Sequence, residues 1–449
     1  MIFIGDYELK SNDTLPMGNG TISEVWVGDE QVWPMDPLTT EIVIQVDPNR
    51  ANLPTYDVVK MTGTGRYEID WDYTGAHDLE EGTLTSASYT IVPHTYSSDG
   101  LKTINIKATA GITNINFDAG STEERATIKK IIKVQSSSEF SLQSMFANQG
   151  RFANKGLYGL GQAAFQNFNT FKFETPLSTN FAYVFYRALA GDVDSTTFVS
   201  TGAIPPMLFS ECTAMYQNFT SSFESCRFDA NGIPGILFSG LEPAWLSDTF
   251  KDTNITSLPA DLLTNMVSIG RLIGTFSSCI RLTAIPTGFF GTQANPKRVY
   301  NVANMFLNCE SLVTVPNGLF DYCEQIYLGG VFCGCYALNA DINQMFPQTS
   351  YPLIVNIGLQ DAGSNPWTVS NPPMFGAWNN DPTNTCSTAN TLTASGVQGN
   401  VKEFIAKFPN LIIANNPATG LPTTRCFYQC LNVDITGLTD DEKQAWLYC

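Results

Sequence analysis

Apolar and polar residues alternate with a period of two along residues 38–136 of the chain. The runs at 42–46, 67–71, 87–92 and 103–107 each place every second side chain on one face, which is typical of half-buried β-strands. Clusters rich in glycine, serine and threonine separate the runs. Several short strands at this spacing predict a β-sandwich of about a hundred residues.

Residues 1–34 carry a different pattern. Residues 25–27 (Val-Trp-Val) and 31–33 (Gln-Val-Trp) flank a Gly-Asp turn, so they predict a β-hairpin. A lone hairpin is only marginally stable in water, and it cannot bury Trp26 and Trp33 by itself. We therefore expect the two tryptophans to dock on the next domain or on a partner, with residues 1–34 acting as an assembly anchor.

From about residue 140 the chain repeats itself at intervals of 25 to 30 residues. One signature is an Ile, Leu or Val followed by Pro and, three residues later, two large apolar residues. It recurs at Pro205, Pro234, Pro259, Pro286 and Pro316. The other signature is Phe-x-x-Cys-x-x-Leu-x-x-(Ile/Val)-Pro. Its full and partial copies supply Phe223, Cys226, Phe276, Cys279, Leu282, Phe306, Cys309, Leu312, Phe332 and Cys335.

A fixed period of this length indicates a solenoid, in which each unit is too small to bury its own apolar face and must stack on its neighbours. The Phe, Cys, Leu and Ile/Val positions lie three residues apart and should point inward as a ladder. Proline offers no amide to a sheet and should end each short strand. We assign residues 140–350 to the solenoid and residues 351–449 to diverged repeats or a cap. The predicted fold class is mainly β.

The Phe-x-x-Cys-x-x-Leu-x-x-Ile-Pro strings resemble the BspA-type leucine-rich repeats. Members of that family are surface-exposed binding and adhesion modules, and the repeats also occur in virion proteins of phages that infect gut Bacteroidales. Residues 94–106 resemble the late strands of PKD-like immunoglobulin-like modules, although the usual Trp-Gly-Asp-Gly turn is replaced by residues 71–75. The string at 25–34 is similar to N-terminal segments of virion proteins from those phages. The resemblance implies an anchor, an Ig/PKD-like β-sandwich and a leucine-rich-repeat solenoid of short parallel strands, turns and short helices.

Composition narrows the possible functions. The chain has 42 acidic and 24 basic residues, a formal charge of −18 and no basic stripe, so nucleic-acid binding is not expected. No segment approaches the roughly 18 apolar residues that a membrane span requires. The first eight residues lack the basic region of a secretory signal, which favours synthesis and assembly in a bacterial cytoplasm.

The eleven cysteines allow two interpretations. Cys333 and Cys335 could join Cys426 and Cys430 to supply four thiolates to zinc. However, Cys335 and Cys430 occupy the ladder position of the repeat, where reduced cysteine packs as a small hydrophobic residue. We favour packing and predict neither a metal nor a cofactor.

Two further groups of residues carry side chains that can do chemistry. Asp70, Asp72 and Asp78 crowd around one turn, and carboxylates at this density either form a solvated turn or bind Ca²⁺. His77 and His94 are the only histidines, and no Gly-x-Ser-x-Gly motif accompanies them, so we expect no Ser-His or Cys-His nucleophile. His94 is expected to be a packed residue at the end of a strand.

These features together predict a non-enzymatic virion structural protein, either a head or tail fibre or a decoration protein on the outer surface of a capsid or tail. Its expected partners are other virion proteins through residues 1–34 and a host-surface protein or glycan through the solenoid. A homo-oligomer is expected because fibres and spikes are usually symmetric. The alternatives are a bacterial cell-surface leucine-rich-repeat adhesin and a tail-borne polysaccharide depolymerase that uses a carboxylate pair.

Overall fold

The structure is a computed structural model of the chain. Besides short backbone stretches between residues 2 and 33, it describes residues 37–47, 56–96, 100–117, 127–147, 171–188, 204–228, 232–243, 245–266, 269–299, 301–324, 326–352, 354–356, 374–376, 396–410, 426–428, 430 and 432–447. The fold is mainly β, and the fold class predicted from the sequence is confirmed at that level.

Three β-hairpins occupy the first 33 residues, and each is a separate two-stranded sheet. The antiparallel pairs are β1 (Ile2–Ile4) with β2 (Tyr7–Leu9), β3 (Leu15–Met17) with β4 (Gly20–Ile22), and β5 (Val25–Val27) with β6 (Glu30–Trp33). The third hairpin lies where the sequence predicts one, with Trp26 opposite Gln31. The side chains of Trp26 and Trp33 lie outside the described part of the structure, so their docking stays a prediction.

In the described part of residues 38–136, eight strands form two antiparallel sheets. They are β7 (Leu38–Asp47), β8 (Tyr56–Gly63), β9 (Gly65–Asp70), β10 (Leu79–Leu84), β11 (Thr90–Thr95), β12 (Lys102–Thr109), β13 (Ile112–Asn116) and β14 (Thr127–Ser136). One sheet has the order β10-β9-β12-β7-β14 and the other the order β11-β8-β13. Alternate side chains share a face, and on the core face Ile42, Ile44, Val46, Ile104 and Ile106 are fully buried.

The sequence pattern does not reveal β14, and β-bulges explain why. The pairing of β14 with β7 shifts register between Ile128 and Lys130 and again between Ile131 and Lys133. Each bulge inserts one residue, so Ile128, Ile131 and Val134 all face the core although they lie three residues apart. A search for period two therefore misses this strand.

One predicted strand begins later than its apolar run. The run at 87–92 corresponds to β11, which starts at Thr90, because residues 86–88 form a bend in which the Ser86 hydroxyl accepts the Ser88 amide at 3.2 Å. Pro93 lies inside β11 without disrupting the sheet, because β11 is an edge strand and its proline needs no amide on the open side.

The two sheets share one buried core, and we call them the sandwich. After the sandwich the chain forms a stack of coils, each made of one sequence repeat. Isolated parallel bridges join consecutive coils at Asn180, Asn218, Trp245, Arg271 and Asn301. Parallel bridges between residues one repeat apart mean that each coil lies on the next in register. The chain therefore forms one turn of the stack per sequence repeat.

The prolines of the first repeat signature open turns. The carbonyls of Pro205, Pro234 and Pro259 each accept the amide of the residue three positions further on, at 3.1, 3.1 and 3.3 Å. Ala284 and Thr314, each two residues before a proline, form another parallel bridge. Proline thus follows the bridged segment, where a missing amide costs nothing, and starts the next turn.

A row of stacked phenylalanine rings runs through the centre of the coils. Neighbouring ring centroids are 5.4 to 5.8 Å apart and neighbouring ring planes differ by 3° to 18°. We call this set the ring row, and its members are Phe117, Phe146, Phe185, Phe223, Phe250, Phe276, Phe306, Phe332 and Phe375. Phe117 directly follows β13, so the core of the sandwich continues into the core of the coils.

Shorter elements complete the described chain. The strands are β15 (Gly291–Thr292), β16 (Asn295–Arg298), β17 (Cys323–Glu324), β18 (Ile326–Tyr327), β19 (Asn339–Asp341), β20 (Ile354–Asn356), β21 (Phe375–Gly376), β22 (Gly396–Asn400), β23 (Phe427–Tyr428) and β24 (Asn432–Asp434). The helices are α1 (Ile342–Met345), α2 (Val401–Ala406) and α3 (Asp440–Trp446). Parallel pairing of β19, β22 and β24 extends the coiled arrangement toward the C-terminus.

The ring row predicts a large loss of stability when one ring is removed. Phe276 is fully buried between Phe250 and Phe306, so Phe276→Ala should lower the free energy of unfolding by about 3–5 kcal/mol. Ile280 in the same coil is 46% exposed, and Ile280→Ala should change it by about 0.5 kcal/mol or less. Urea unfolding followed by circular dichroism measures the free energy of unfolding of both variants. Equal losses in the two variants would contradict the ring row.

Candidate functional site

The coils are joined by peptide groups that point along the axis of the stack. The amide of Phe223 donates to the carbonyl of Thr249 in the next coil at 2.9 Å, while the carbonyl of the same peptide group, from Ser222, accepts the amide of Phe185 in the preceding coil at 2.9 Å. The peptide groups whose amides belong to residues 219, 221 and 225 are bonded in the same way. All of them point in one direction, so their dipoles add as they do in an α-helix.

This arrangement requires left-handed backbone on both sides of the ring row. In the coil of Phe250, the residues two before and two after the ring are Asp248 and Asp252, with φ of 53° and 54°. Asn, Asp and Gly adopt such values most readily, and they hold many of the equivalent positions. Gly274 is further constrained, because a Cβ there would lie 2.4 Å from a carboxylate oxygen of Asp248.

The cysteines of the second repeat signature connect successive coils. Each thiol donates to the carbonyl oxygen of the ring-row phenylalanine in the preceding coil, at 3.0 to 3.2 Å, in the pairs Cys226–Phe185, Cys279–Phe250, Cys309–Phe276 and Cys335–Phe306. The carbonyl of Phe276 also accepts the amide of Cys279 in its own coil at 3.2 Å. One carbonyl therefore fixes the turn within a coil and the contact with the next coil.

The leucines of the same signature lie in the core beside the thiols. Leu282 and Leu312 are fully buried, and their amides donate to the carbonyls of Cys279 and Cys309, each at 3.0 Å. The structure thus brings together the Phe, Cys and Leu positions that the repeat pattern singles out.

A row of hydroxyl groups, which the sequence pattern does not reveal, repeats the role of the thiols. Ser222, Thr249 and Thr275 donate to a carbonyl of the preceding coil at 2.8, 2.9 and 2.9 Å, in each case the carbonyl four residues before the ring. Thr253 stands at the ladder position of cysteine and bonds the carbonyl of Phe250 in its own coil at 2.8 Å. Serine and threonine are common both on the protein surface and in buried hydrogen bonds. Their positions in the sequence therefore do not predict this row.

Burial makes the eight buried cysteines of the described chain poor nucleophiles and poor metal ligands. It raises the pKa of Cys279 to about 11 and that of Cys430 to about 12. It also raises the pKa of Cys333 and Cys426 well above the usual value. The thiolate is the reactive and ligating form. Across the described residues, no group of three or more His, Cys, Asp and Glu side chains is placed to hold a metal ion.

Protein donors surround the acidic turn of Asp70, Asp72 and Asp78. Asp70 accepts the amides of Asp72 and Asp78 at 3.1 and 3.2 Å, and its other oxygen lies 2.7 Å from Nδ1 of His77. A hydrogen bond from Lys102 at 2.9 Å holds the pKa of Asp72 below its usual value. The geometry favours a turn held by its own hydrogen bonds over a calcium site.

His94 serves as a packing residue. Its ring stacks on Trp71 with centroids 4.4 Å apart and planes 9° apart, and its Nε2 lies 3.6 Å from the carboxylate of Asp78. Burial lowers the pKa of His94, which favours the neutral ring in this contact.

Charged side chains add contacts between coils. The ammonium of Lys251 lies 3.3 Å from Glu224 in the preceding coil and 3.6 Å from Asp248 in its own. Burial acts to lower the pKa of Lys251, but the two carboxylates outweigh it and raise the pKa, so the side chain stays charged. Lys251 is 37% exposed, so these pairs orient the side chains more than they stabilise the fold.

One outward column of side chains runs along the coils, five residues before the ring of each coil. We call it the front column, and it consists of Ser141, Asn180, Asn218, Trp245, Arg271 and Asn301. In Ser141 and the three asparagines, a side-chain oxygen accepts the amide two residues further on, at 2.8 to 3.2 Å. Trp245 and Arg271 have no such oxygen, and both are exposed.

Comparison with known proteins adds no assignment, since no family model, curated protein or solved structure matches the chain. Within the described residues, no helix has the length and apolar character needed to cross a bilayer.

The buried thiols predict that chemical labelling follows unfolding. Cys226, Cys279, Cys309 and Cys335 are at most 1% exposed, so a disulfide reagent such as DTNB at pH 8 should not react with them while the protein is folded. Adding urea should expose them together at the unfolding midpoint. Peptide mass mapping identifies the labelled residues, and modification of Cys279 or Cys309 within minutes, with the circular dichroism spectrum unchanged, would contradict the thiol contacts.

Proposed function

We propose that the protein is a non-enzymatic structural protein of a virion, in which an Ig/PKD-like β-sandwich and leucine-rich-repeat coils present a binding surface. The observation that carries the proposal is the continuity of the ring row, which links the sandwich at Phe117 with the region of Phe375. Each coil rests on the next through this row and adds one equivalent outward position. Repeated outward positions on a stiff support suit recognition of an extended partner.

The use of the reactive side chains supports a structural role. The thiols of the repeat hold coils together, their pKa is raised, and His94 packs against Trp71. Catalysis needs groups whose pKa is matched to proton transfer or nucleophilic attack. Here burial shifts the thiols away from the reactive form.

The N-terminal hairpins support the role of residues 1–34 as an anchor. Within the described backbone of residues 2–33, each hairpin forms its own two-stranded sheet and pairs with no strand of the sandwich. Isolated two-stranded sheets are marginal in water, so these hairpins gain stability by docking. We propose that they dock on other virion proteins, and that Trp26 and Trp33 contribute to the contact. A homo-oligomeric assembly on the outer surface of a capsid or tail would place the coils toward the host.

The virion assignment is tested by asking where the chain is found. Mass spectrometry of purified particles should detect it in a fixed ratio to the capsid protein. A chain lacking residues 1–34 should keep its melting temperature but be missing from particles, and Trp26→Ala/Trp33→Ala should be depleted. Tyr89→Ala is the matched control, since Tyr89 is an exposed aromatic residue of the sandwich, and it should be incorporated normally.

Other outcomes would overturn this proposal. Absence from particles together with display on bacterial cells would favour a leucine-rich-repeat adhesin. Normal incorporation of the truncated chain, or unfolding of its sandwich, would remove the anchor role. Release of new reducing ends from host capsular polysaccharide would favour a depolymerase.

A further inference from the structure

A pocket lies where the sandwich meets the first coils. Its volume is about 210 Å³, and the residues that matter for its chemistry are Glu139, Phe140, Ser141, Leu177, Thr179 and Asn180. Phe140 and Leu177 supply apolar surface, and the others supply a carboxylate, two hydroxyls and an amide. An apolar wall with a few convergent polar groups is typical of ligand sites. This pocket is smaller than the roughly 300 Å³ at which such sites usually begin, so a ligand held there would extend onto the surface beside it.

Two of the polar groups in this pocket are unused by the fold. In the described structure, the carboxylate of Glu139 and the hydroxyl of Thr179 have no protein hydrogen-bond partner, and both residues are exposed. Asn180, by contrast, is held in place, since it accepts the amide of Ala182 at 3.2 Å and donates to Gln143 at 3.1 Å. The pocket therefore combines one fixed amide with free hydrogen-bonding groups.

The pocket opens onto the front column, because Ser141 and Asn180 belong to both. Neighbouring strands are about 4.8 Å apart, so Trp245 lies about 10 Å and Arg271 about 14 Å from Asn180 along the column. Asn218 stands between Asn180 and Trp245. A linear ligand that starts in the pocket would thus meet an amide, an indole ring and a guanidinium in turn.

Trp245 and Arg271 are departures from the repeat that the fold does not need. At the equivalent position, Asn180, Asn218 and Asn301 each accept an amide in a local turn that stabilises the coil. Trp245 lacks this bond and is 43% exposed, and it lies in the coil next to that of Arg271. Positions where a local structural rule is broken without a structural gain are expected to serve function.

We infer that the pocket and the front column up to Arg271 form one binding site for a neutral oligosaccharide chain. Sugar hydroxyls can donate to the free carboxylate of Glu139 and bond with Thr179, and the apolar face of a sugar ring can stack on the indole of Trp245. This inference rests on the proposed binding role of the coils and names the class of ligand.

The charge of the protein favours a neutral chain over an acidic one. The formal charge is −18, and Glu139 lines the pocket. A polyuronate would therefore be repelled both by the net charge of the protein and by the carboxylate in the pocket. Arg271 is a planar donor with no described partner, and its guanidinium can donate hydrogen bonds to sugar hydroxyls at the end of the site.

The test uses the full-length chain on a printed array of neutral and uronate-containing oligosaccharides of four or more sugar units. We expect selective binding to at least one neutral oligosaccharide. Calorimetry with that sugar should then give affinities weaker by about tenfold or more for Trp245→Asn and for Glu139→Gln. Tyr322→Ala is the matched control, because Tyr322 is 39% exposed but lies outside the column, and its affinity should equal that of the parent chain.

The variant Trp245→Asn also separates loss of binding from loss of folding. It installs the residue that the equivalent coils carry, so its melting temperature should be no lower than that of the parent chain. The inference would be overturned if no neutral oligosaccharide bound, or if the protein preferred uronates. Unchanged affinity in both site variants would also overturn it. So would binding to a host protein, lost in Trp245→Asn, without glycan binding. A chain found in virions that binds no sugar would leave the proposed function intact and refute only this site.

Discussion

The structure depends on one kind of shared acceptor, the carbonyl oxygen of the ring-row residues Phe185, Phe250, Phe276 and Phe306. In the coil of Phe276, this oxygen receives the amide of Cys279 from its own turn and the thiol of Cys309 from the next coil. Buried acceptors are costly when unsatisfied, so the two donors fix both the shape of a coil and its distance from its neighbour. Stacking of the phenylalanine rings follows from that register.

The same register aligns the peptide groups between coils. The peptide group of Ser222 and Phe223 donates to the next coil through its amide and accepts from the preceding coil through its carbonyl, and the peptide groups whose amides belong to residues 219, 221 and 225 do the same. The cost is a left-handed backbone at two positions per coil, which explains why polar turn residues and glycine dominate there. The outward face is therefore the part of each coil that is free to vary, and the front column uses that freedom at Trp245 and Arg271.

Much of this arrangement is visible in the sequence, and the exceptions have physical causes. Large apolar residues and cysteines spaced three apart are rarely exposed, so the sequence alone assigns Phe276, Cys279 and Leu282 to the core. Ser222 and Thr275 donate equally important bonds, but hydroxyl residues are as common in solvent and give no periodic contrast. Strand β14 is hidden by bulges, which convert period two into period three. The pocket at Glu139 combines residues distant in sequence, and only the pairing of coils brings them together.

Hydrogen exchange measured by mass spectrometry tests the central claim, that shared acceptors and aligned peptide groups make the coils one cooperative unit. Most amides in 181–188, 219–226, 246–253, 272–279 and 302–309 bond to a carbonyl of the next coil or of the same turn, and the amides of Ser247, Thr253 and Ile273 are the exceptions. The account predicts that peptides from these five segments exchange slowly and lose protection together as urea is added. Independent loss of protection in one coil after another, or rapid exchange in the native protein, would contradict it.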